Sequence, residues 1–252
     1  FPHEDTVMAE EVQNVRAFGS ENRLAVIQDV VNSKLANMRG KHAITEEWMR
    51  AGALRGIVMD DQGDTILNLF AEFGVTQKEV DFKLGTESTD VIGKLEEICD
   101  HIKLNMLGDT FTGVHCLSSR GFFQKLRKHS TVLQAFQFQQ GANILRDDMS
   151  MRFEFQGVTF EVYLGSASNI DGENFPFIPD GDARFFPMGT QDTFRWYNAP
   201  ADFNETVNTM GLPLYAKMEP MKFDRGYEIH TQMNPLPICM RPALLVRGYS
   251  SD

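Results

Sequence analysis

Leu24, Ile27, Val31, Leu35 and Met38 recur at steps of three and four, the spacing that lines one face of an α-helix. Arg23, Gln28, Asp29, Asn32, Lys34 and Asn37 fall between them and make the opposite face polar. Gly19-Ser20 supplies a start, because a serine oxygen can accept from an orphan amide of the first turn. Trp48, Met49 and Ala53 carry an apolar stripe beyond Gly40, while Thr45-Glu46-Glu47 offers a second starting point. The pattern predicts one helix from Ser20 to Arg55, about 36 residues and on the order of 54 Å long. The competing reading is two ordinary helices that meet between Gly40 and Ala43. An interior glycine costs only ~1 kcal/mol, so the single rod, a spine for the rest of the chain, is preferred.

Ahead of the spine, Phe1 to Gly19 is acidic and weakly patterned, with Glu4, Asp5, Glu10 and Glu11, and reads as an extended arm. After the spine, Ile57-Val58-Met59 and Thr65-Ile66-Leu67 flank the polar turn Asp60-Asp61-Gln62-Gly63-Asp64, a β-hairpin pattern. Gly85-Thr86-Glu87-Ser88 is the best boundary. Beyond it, Ile92, Leu95, Cys99, Ile102 and Met106 predict another amphipathic helix, with caps among Ser88 to Asp90. Val114 to Leu117 reads as a short strand, and Ser118-Ser119 as the cap of a helix through Phe122, Phe123 and Leu126. That helix closes on Lys125, Arg127, Lys128 and His129, basic residues that complement a helix dipole.

Met151 to Leu164 carries the clearest hairpin. A two-residue turn at Gln156-Gly157 pairs Phe155 with Val158, Phe153 with Phe160, and Met151 with Val162. Those six share one face, and Arg152, Glu154, Thr159 and Glu161 share the other. Gly165 to Asp182 reads as a long polar loop with a turn at Pro179-Asp180-Gly181. Ala183 to Pro187 and Thr193 to Tyr197 look like strands. From Tyr227 to Val246, Pro235, Pro237 and Pro242 interrupt short β-prone runs, a composition suited to edge strands.

Composition bounds the chemistry. At 252 residues, 42% hydrophobic and 23% charged, the chain can form one large domain or two smaller ones. A net charge of −11 argues against a nucleic-acid reader held by a basic face. Cys99, Cys116 and Cys239 stand far apart in no metal spacing, which fits a reducing compartment. No apolar run approaches ~18 residues, so no membrane partner is expected.

No Walker loop, dinucleotide fingerprint, nucleophile elbow or zincin helix is present. The six histidines are scattered, and adjacency points His115 and Cys116 to opposite faces of a strand. Asp100-His101 reads as helix surface. Asp60, Gln62 and Asp64 have the start of a calcium-loop spacing but lack its glycine and closing glutamate, so a solvated turn is expected. These residues nominate no catalytic, cofactor-binding or metal-binding position, no cofactor, and no specific subunit-contact residue. A hydrolase with its site in the 165–182 loop is the alternative from another class; it requires a convergent pocket.

The run Phe177-Ile178-Pro179-Asp180-Gly181-Asp182-Ala183-Arg184-Phe185-Phe186-Pro187, then Ala199-Pro200-Ala201-Asp202-Phe203, resembles the lambda-type major capsid protein E of tailed phages and prophages. So does Lys222-Phe223-Asp224-Arg225-Gly226-Tyr227-Glu228-Ile229-His230-Thr231-Gln232, followed by Asn234-Pro235-Leu236-Pro237. Asp5 to Gly19 and Leu69 to Val75 are similar to the same family, so the resemblance spans nearly the whole chain.

The resemblance implies an α+β chain with the tailed-phage major capsid fold, named after phage Hong Kong 97. A long spine helix and a sheet make its peripheral domain, beside an axial α/β domain. Mapped here, residues 1–84 are the first part of the peripheral domain, 85–199 the axial domain, and 200–252 the peripheral domain's C-terminal strands. The implied function is a structural subunit, not an enzyme, of an icosahedral head that encloses double-stranded DNA. The implied partners are other copies of the chain in hexamers and pentamers, with scaffolding, portal and decoration proteins, and packaged DNA bound without sequence specificity. The implied location is the virion, assembled in the bacterial host cytoplasm. A phage tail or adaptor protein that forms rings is a second structural reading. The chain opens at Phe1 without Met, and family members begin well upstream with an arm and an extended loop. A soluble, folded fragment that does not close shells by itself is therefore expected.

Overall fold

The computed structural model describes residues 1–12, 23–60, 62–138, 151–168 and 174–252. The chain begins with β1 (Pro2–Met8), the single turn α1 (Ala9–Val12) and the long helix α2 (Arg23–Arg55). Next come β2 (Ile57–Met59), β3 (Thr65–Asn68), the short α3 (Leu69–Glu72), β4 (Lys78–Asp81), α4 (Val91–Asn105) and β5 (Gly113–Ser118). Two helices, α5 (Arg120–Lys128) and α6 (Ser130–Phe138), precede β6 (Arg152–Phe155), β7 (Val158–Val162), β8 (Ser166–Ser168) and β9 (Asn174–Pro176). The last third is β10 (Asp182–Met188), β11 (Phe194–Asn198), β12 (Tyr215–Pro220), β13 (Gly226–Gln232), β14 (Pro235–Cys239) and β15 (Val246–Tyr249).

The spine is a single helix of 33 residues, roughly 50 Å at 1.5 Å per residue, and it runs through Gly40 unbroken. The single rod forms, and two helices meeting between Gly40 and Ala43 do not. A methyl at Gly40 would meet nothing within 4 Å, so the glycine marks an exposed position, not a hinge. The proposed cap at Gly19-Ser20 lies outside the described residues. Val31, Met38, Met49 and Ala53 are buried as the periodicity requires, and His42 fills the same stripe four residues after Met38. Where the helix ends, a methyl at Gly52 would sit 2.8 Å from the Ile57 carbonyl, so only glycine lets β2 pass this close.

The chain divides into two compact units, residues 1–47 with 196–236, and residues 48–195 with 237–252. The first holds a three-stranded antiparallel sheet in the order β1-β13-β12. Val7 of β1 and Ile229 of β13 pack with Val31 and Met38 of the helix, flanked by Ile27, Val30, Leu35 and Val12. The expected arm is thus in part an edge strand, paired from Pro2 opposite Gln232 to Met8 opposite Gly226.

The second unit is built on a six-stranded mixed sheet, β4-β15-β10-β5-β7-β6, parallel between β15 and β4 and between β5 and β7. One face packs on α4, α5 and α6 through Leu95, Ile98, Ile102, Phe122, Phe123, Leu126 and Val132. Phe82, Phe160 and Phe185 are fully buried there, each contributing about 1.5–3 kcal/mol by leaving water. The Gln156-Gly157 turn has φ of 51° and 73°, as a two-residue hairpin requires. Phe155 faces Val158 and Phe153 faces Phe160 in the predicted register. Met151 departs from it: its carbonyl accepts from Val162, but its side chain is exposed.

One expectation is corrected by the sheets. The prolines of the Tyr227 to Val246 stretch suggest edge strands, yet β13 is the middle strand of its sheet and β15 is interior to the six-stranded one. Pro235 and Pro237 do sit in a two-stranded ribbon, β14 with β11. The chain passes between units at 47/48, 195/196 and 236/237; in the second unit β4 pairs with β15, which pairs in turn with β10.

Candidate interaction surfaces

The strand alternation that buries Phe185 on one face of β10 puts Asp182 and Arg184 on the other. Arg184 stands opposite Arg247 of β15, which stands opposite Glu79 of β4. Asp182 accepts from Arg184 Nη2 on one oxygen, and Arg247 Nη2 reaches the other at 3.0 Å. Arg247 Nη1 also donates to Glu79 at 3.0 Å. Hydrogen bonding to Asp182 leads the causes that raise the Arg247 pKa, whereas burial leads those that lower Arg184. Both Asp182 oxygens are occupied by guanidiniums, an arrangement that ties β10 to β15.

The 165–182 stretch, a polar loop by composition, is more ordered than that in its described part. β8 and β9 form a ribbon, and Phe177 and Ile178 are buried. The Phe177 ring lies 5.6 Å from Trp48 and 6.2 Å from Tyr163. Asp182 N donates to Pro179 O across the Pro179-Asp180-Gly181 turn, where Gly181 has φ 79°. Asp171 and Glu173 lie outside the described residues.

The scattered histidines and acidic turns have structural partners. His101 is half-buried and donates from Nε2 to the Ala243 carbonyl at 2.9 Å, so it is not simply helix surface. His115 and Cys116 point to opposite faces: His115 meets Glu161 at 3.3 Å, while Cys116 is buried and its thiol is pushed well up. Burial likewise pushes Cys239 up to about 12. Asp60 spends its Oδ1 on the amides of Gln62 and Asp64, at 2.9 and 2.8 Å, within its own turn. Ser119 caps α5 by accepting from Phe122 and also accepts from Gly181. At the far end of α5, Lys125 donates to the Asp252 carbonyl and His129 to the Thr86 carbonyl. Among the described residues, no group of three His, Cys, Asp or Glu side chains is arranged to hold a metal ion. No described helix is long and apolar enough to cross a membrane.

Large apolar side chains are nonetheless left in water. In the first unit, Phe223 is 87% exposed at the tip between β12 and β13, where its own φ is 65°. Val207, Met210 and Leu212 are exposed in the 207–212 loop of that unit. In the second unit, Leu104 and Leu107 are exposed where α4 ends. A bulky residue held in left-handed backbone at a hairpin tip is an outlier, and within the chain the ring meets only the Arg225 guanidinium, 5.8 Å from its centre, among the contacts of the described residues. In the sequence, the one signal for Phe223 is a turn-prone Lys222-Phe223-Asp224 between Pro220 and Gly226.

Comparison with sequence families matches residues 1–250 to the family described as phage major capsid protein E. The major capsid protein of Pseudomonas phage KPP10 is 31% identical over 269 aligned positions, covering 98% of this chain and 75% of that protein. The major capsid protein of Salmonella phage Felix O1 is 28% identical, again covering 98% of this chain and 75% of that one. Among solved structures, a capsid protein of a prophage of E. coli CFT073 superposes with a TM-score of 0.57 at 11% identity, covering 99% of this chain and 77% of that chain.

Proposed function

This chain belongs to the phage major capsid protein E family and has the tailed-phage major capsid fold, and from that premise we propose that hexamers and pentamers of it tile an icosahedral head around double-stranded DNA. The match to the family over residues 1–250 carries the reading. Its role is that of a structural part of the virion. The three-stranded unit with most of the spine corresponds to the peripheral domain, and the six-stranded unit to the axial domain.

The geometry fits work done by surfaces. The polar clusters tie strands and helices together, and the exposed apolar side chains, Phe223 and Met210 foremost, are the contacts offered to neighbouring copies. Contacts of modest strength suffice, because a subunit held by several neighbours at once gains from effective concentration. A net charge of −11 limits adhesion to packaged DNA and favours a container over a binder. Scaffolding, portal and decoration proteins complete the partners, and assembly takes place in the host cytoplasm. Mass spectrometry of purified heads tests this: the protein should be their most abundant component, since a shell held by repeated weak contacts needs many copies. Substoichiometric amounts, or recovery with tails alone, would point to the ring-forming adaptor reading instead.

A further inference from the structure

β1 forms one edge of the sheet beneath the spine, and little apolar surface fastens it there. Among the described residues, Val7 is what β1 adds to the buried cluster of Val31, Met38 and Ile229. The rest of its hold is polar: the ladder to β13, Lys34 with Asp5 at 3.3 Å, and His3 against His42. His42 is 3% exposed. Its Nε2 lies 2.9 Å from the Thr231 hydroxyl, which donates onward to the His3 carbonyl at 3.4 Å. In the tautomer that satisfies both bonds Nε2 carries the hydrogen, and Nδ1 is left bare, buried and without a hydrogen-bond partner. A proton arriving at Nδ1 finds no acceptor, is cut off from solvent, and meets the His3 ring 4.5 Å away. The Phe1 amino group also opposes it, after burial and His3. On α2 itself the charged residues within a turn of His42 are Arg39, Lys41 and Glu46, and Lys34 lies two turns away with its partners Asp5 and Glu11. β13 presents Thr231 and β12 presents Ala216 beside it, while Glu4 and His230 pair on the far face of the sheet.

We propose that β1 is a strap released by acid: a proton taken up by His42 drives His3, and with it the whole strand, off the spine. The device belongs to the fold of the first unit and does not depend on the shell reading. Lifting β1 is the opening that brings water to His42 at least cost, because an edge strand has a neighbour on one side alone. The helix still lies on β13 through Ile229, Val31 and Met38, so the strand can leave without melting the unit. Linkage sets the size of the effect. With β1 closed His42 is held down to about 4, and with β1 lifted it regains its ordinary 6.5. Closure is therefore strongest above about 6.5 and weakens as the pH falls towards 4, with opening favoured on the order of 70-fold more at pH 4.5 than at pH 7.5. Release also uncovers the row of β13 backbone groups that pair with residues 2–8.

Hydrogen exchange read by mass spectrometry on the whole chain at pH 7.5, 5.5 and 4.5 tests this. Results are expressed as protection factors, which cancel the slower chemistry of exchange in acid. Peptides covering residues 2–8 should lose protection on the order of 70-fold between pH 7.5 and 4.5, while those from β12 and from residues 27–38 of the spine change by less than about threefold. His42→Leu, which fills the same space and takes up no proton, should abolish the loss at residues 2–8. Should that variant not fold, His42→Gln makes the same comparison, since it keeps a hydrogen bond to Thr231 and carries no charge. Protection of residues 2–8 that persists at pH 4.5 would overturn the proposal. So would equal losses in β1, β12 and the spine, which mean that the unit melts as one. A loss at β1 that survives removal of the imidazole would overturn it as well, because another group would then release the strand.

Discussion

His42, midway along α2, lies with Nε2 2.9 Å from the hydroxyl of Thr231 in β13, so a buried polar pair ties the spine to the middle strand of its sheet. The His3 ring stands 4.5 Å from the same imidazole, tilted by 52°. Both His42 and Thr231 are almost fully buried.

Burial first, and the charge of nearby His3 second, hold the His42 pKa down to about 4 from 6.5. Between those values the unfolded chain binds a proton at His42 and the folded chain does not. Stability should therefore fall as pH drops from about 6.5 to about 4 and be unaffected by this group below that, a loss of about 3 kcal/mol in all. Urea melts at pH 7.5, 5.5 and 4 check it. His42→Leu should flatten this part of the profile; an unchanged slope would show that other groups cause it.

The hairpin at Gln156-Gly157 gives a second test. Phe160 is fully buried against Phe153 and Phe185, at ring distances of 5.2 and 5.9 Å, so Phe160→Ala should cost about 3–5 kcal/mol. Glu154→Lys, on the exposed face, should change the melting temperature little. Glu161→Lys should lie between them, because it loses the contact with His115. Equal shifts for Phe160→Ala and Glu154→Lys would mean the faces are misassigned.

How far the fold could be read from residues follows from where local pattern and long-range pairing agree. The spine and this hairpin were legible because periodicity and turn chemistry pointed the same way. Pairing of β15 with β4 and β10 was not, since Val246–Tyr249 meets strands more than sixty residues away in sequence, and prolines nearby suggested an edge. His42 sat in plain view, four residues after Met38, but a histidine is not counted in a hydrophobic stripe. No candidate catalytic residue was proposed, and the surfaces on which the function rests depend on exposure, which one sequence does not display.

Gly40 is a third test. It sits inside α2, exposed, with room for a methyl on every side. Gly40→Ala should stabilise the chain by about 1 kcal/mol, read as a rise in the urea midpoint with no change in slope. A loss of stability would mean that the spine bends at this point.

Phe223 separates folding from assembly. Replacing it with glycine relieves left-handed backbone at an 87% exposed position, so Phe223→Gly should leave the isolated chain as stable or slightly more so. Heads carrying it should form in lower yield, read by sedimentation of lysates from cells that make the full-length protein. Normal yield would remove Phe223 from the contacts between copies.

Electron microscopy of the full-length product, made with its scaffolding protein, tests the central claim most directly. The account predicts closed particles of uniform diameter with icosahedral symmetry, built of this protein. Well-folded protein that gives only monomers, or only flat rings of a single size, would contradict it.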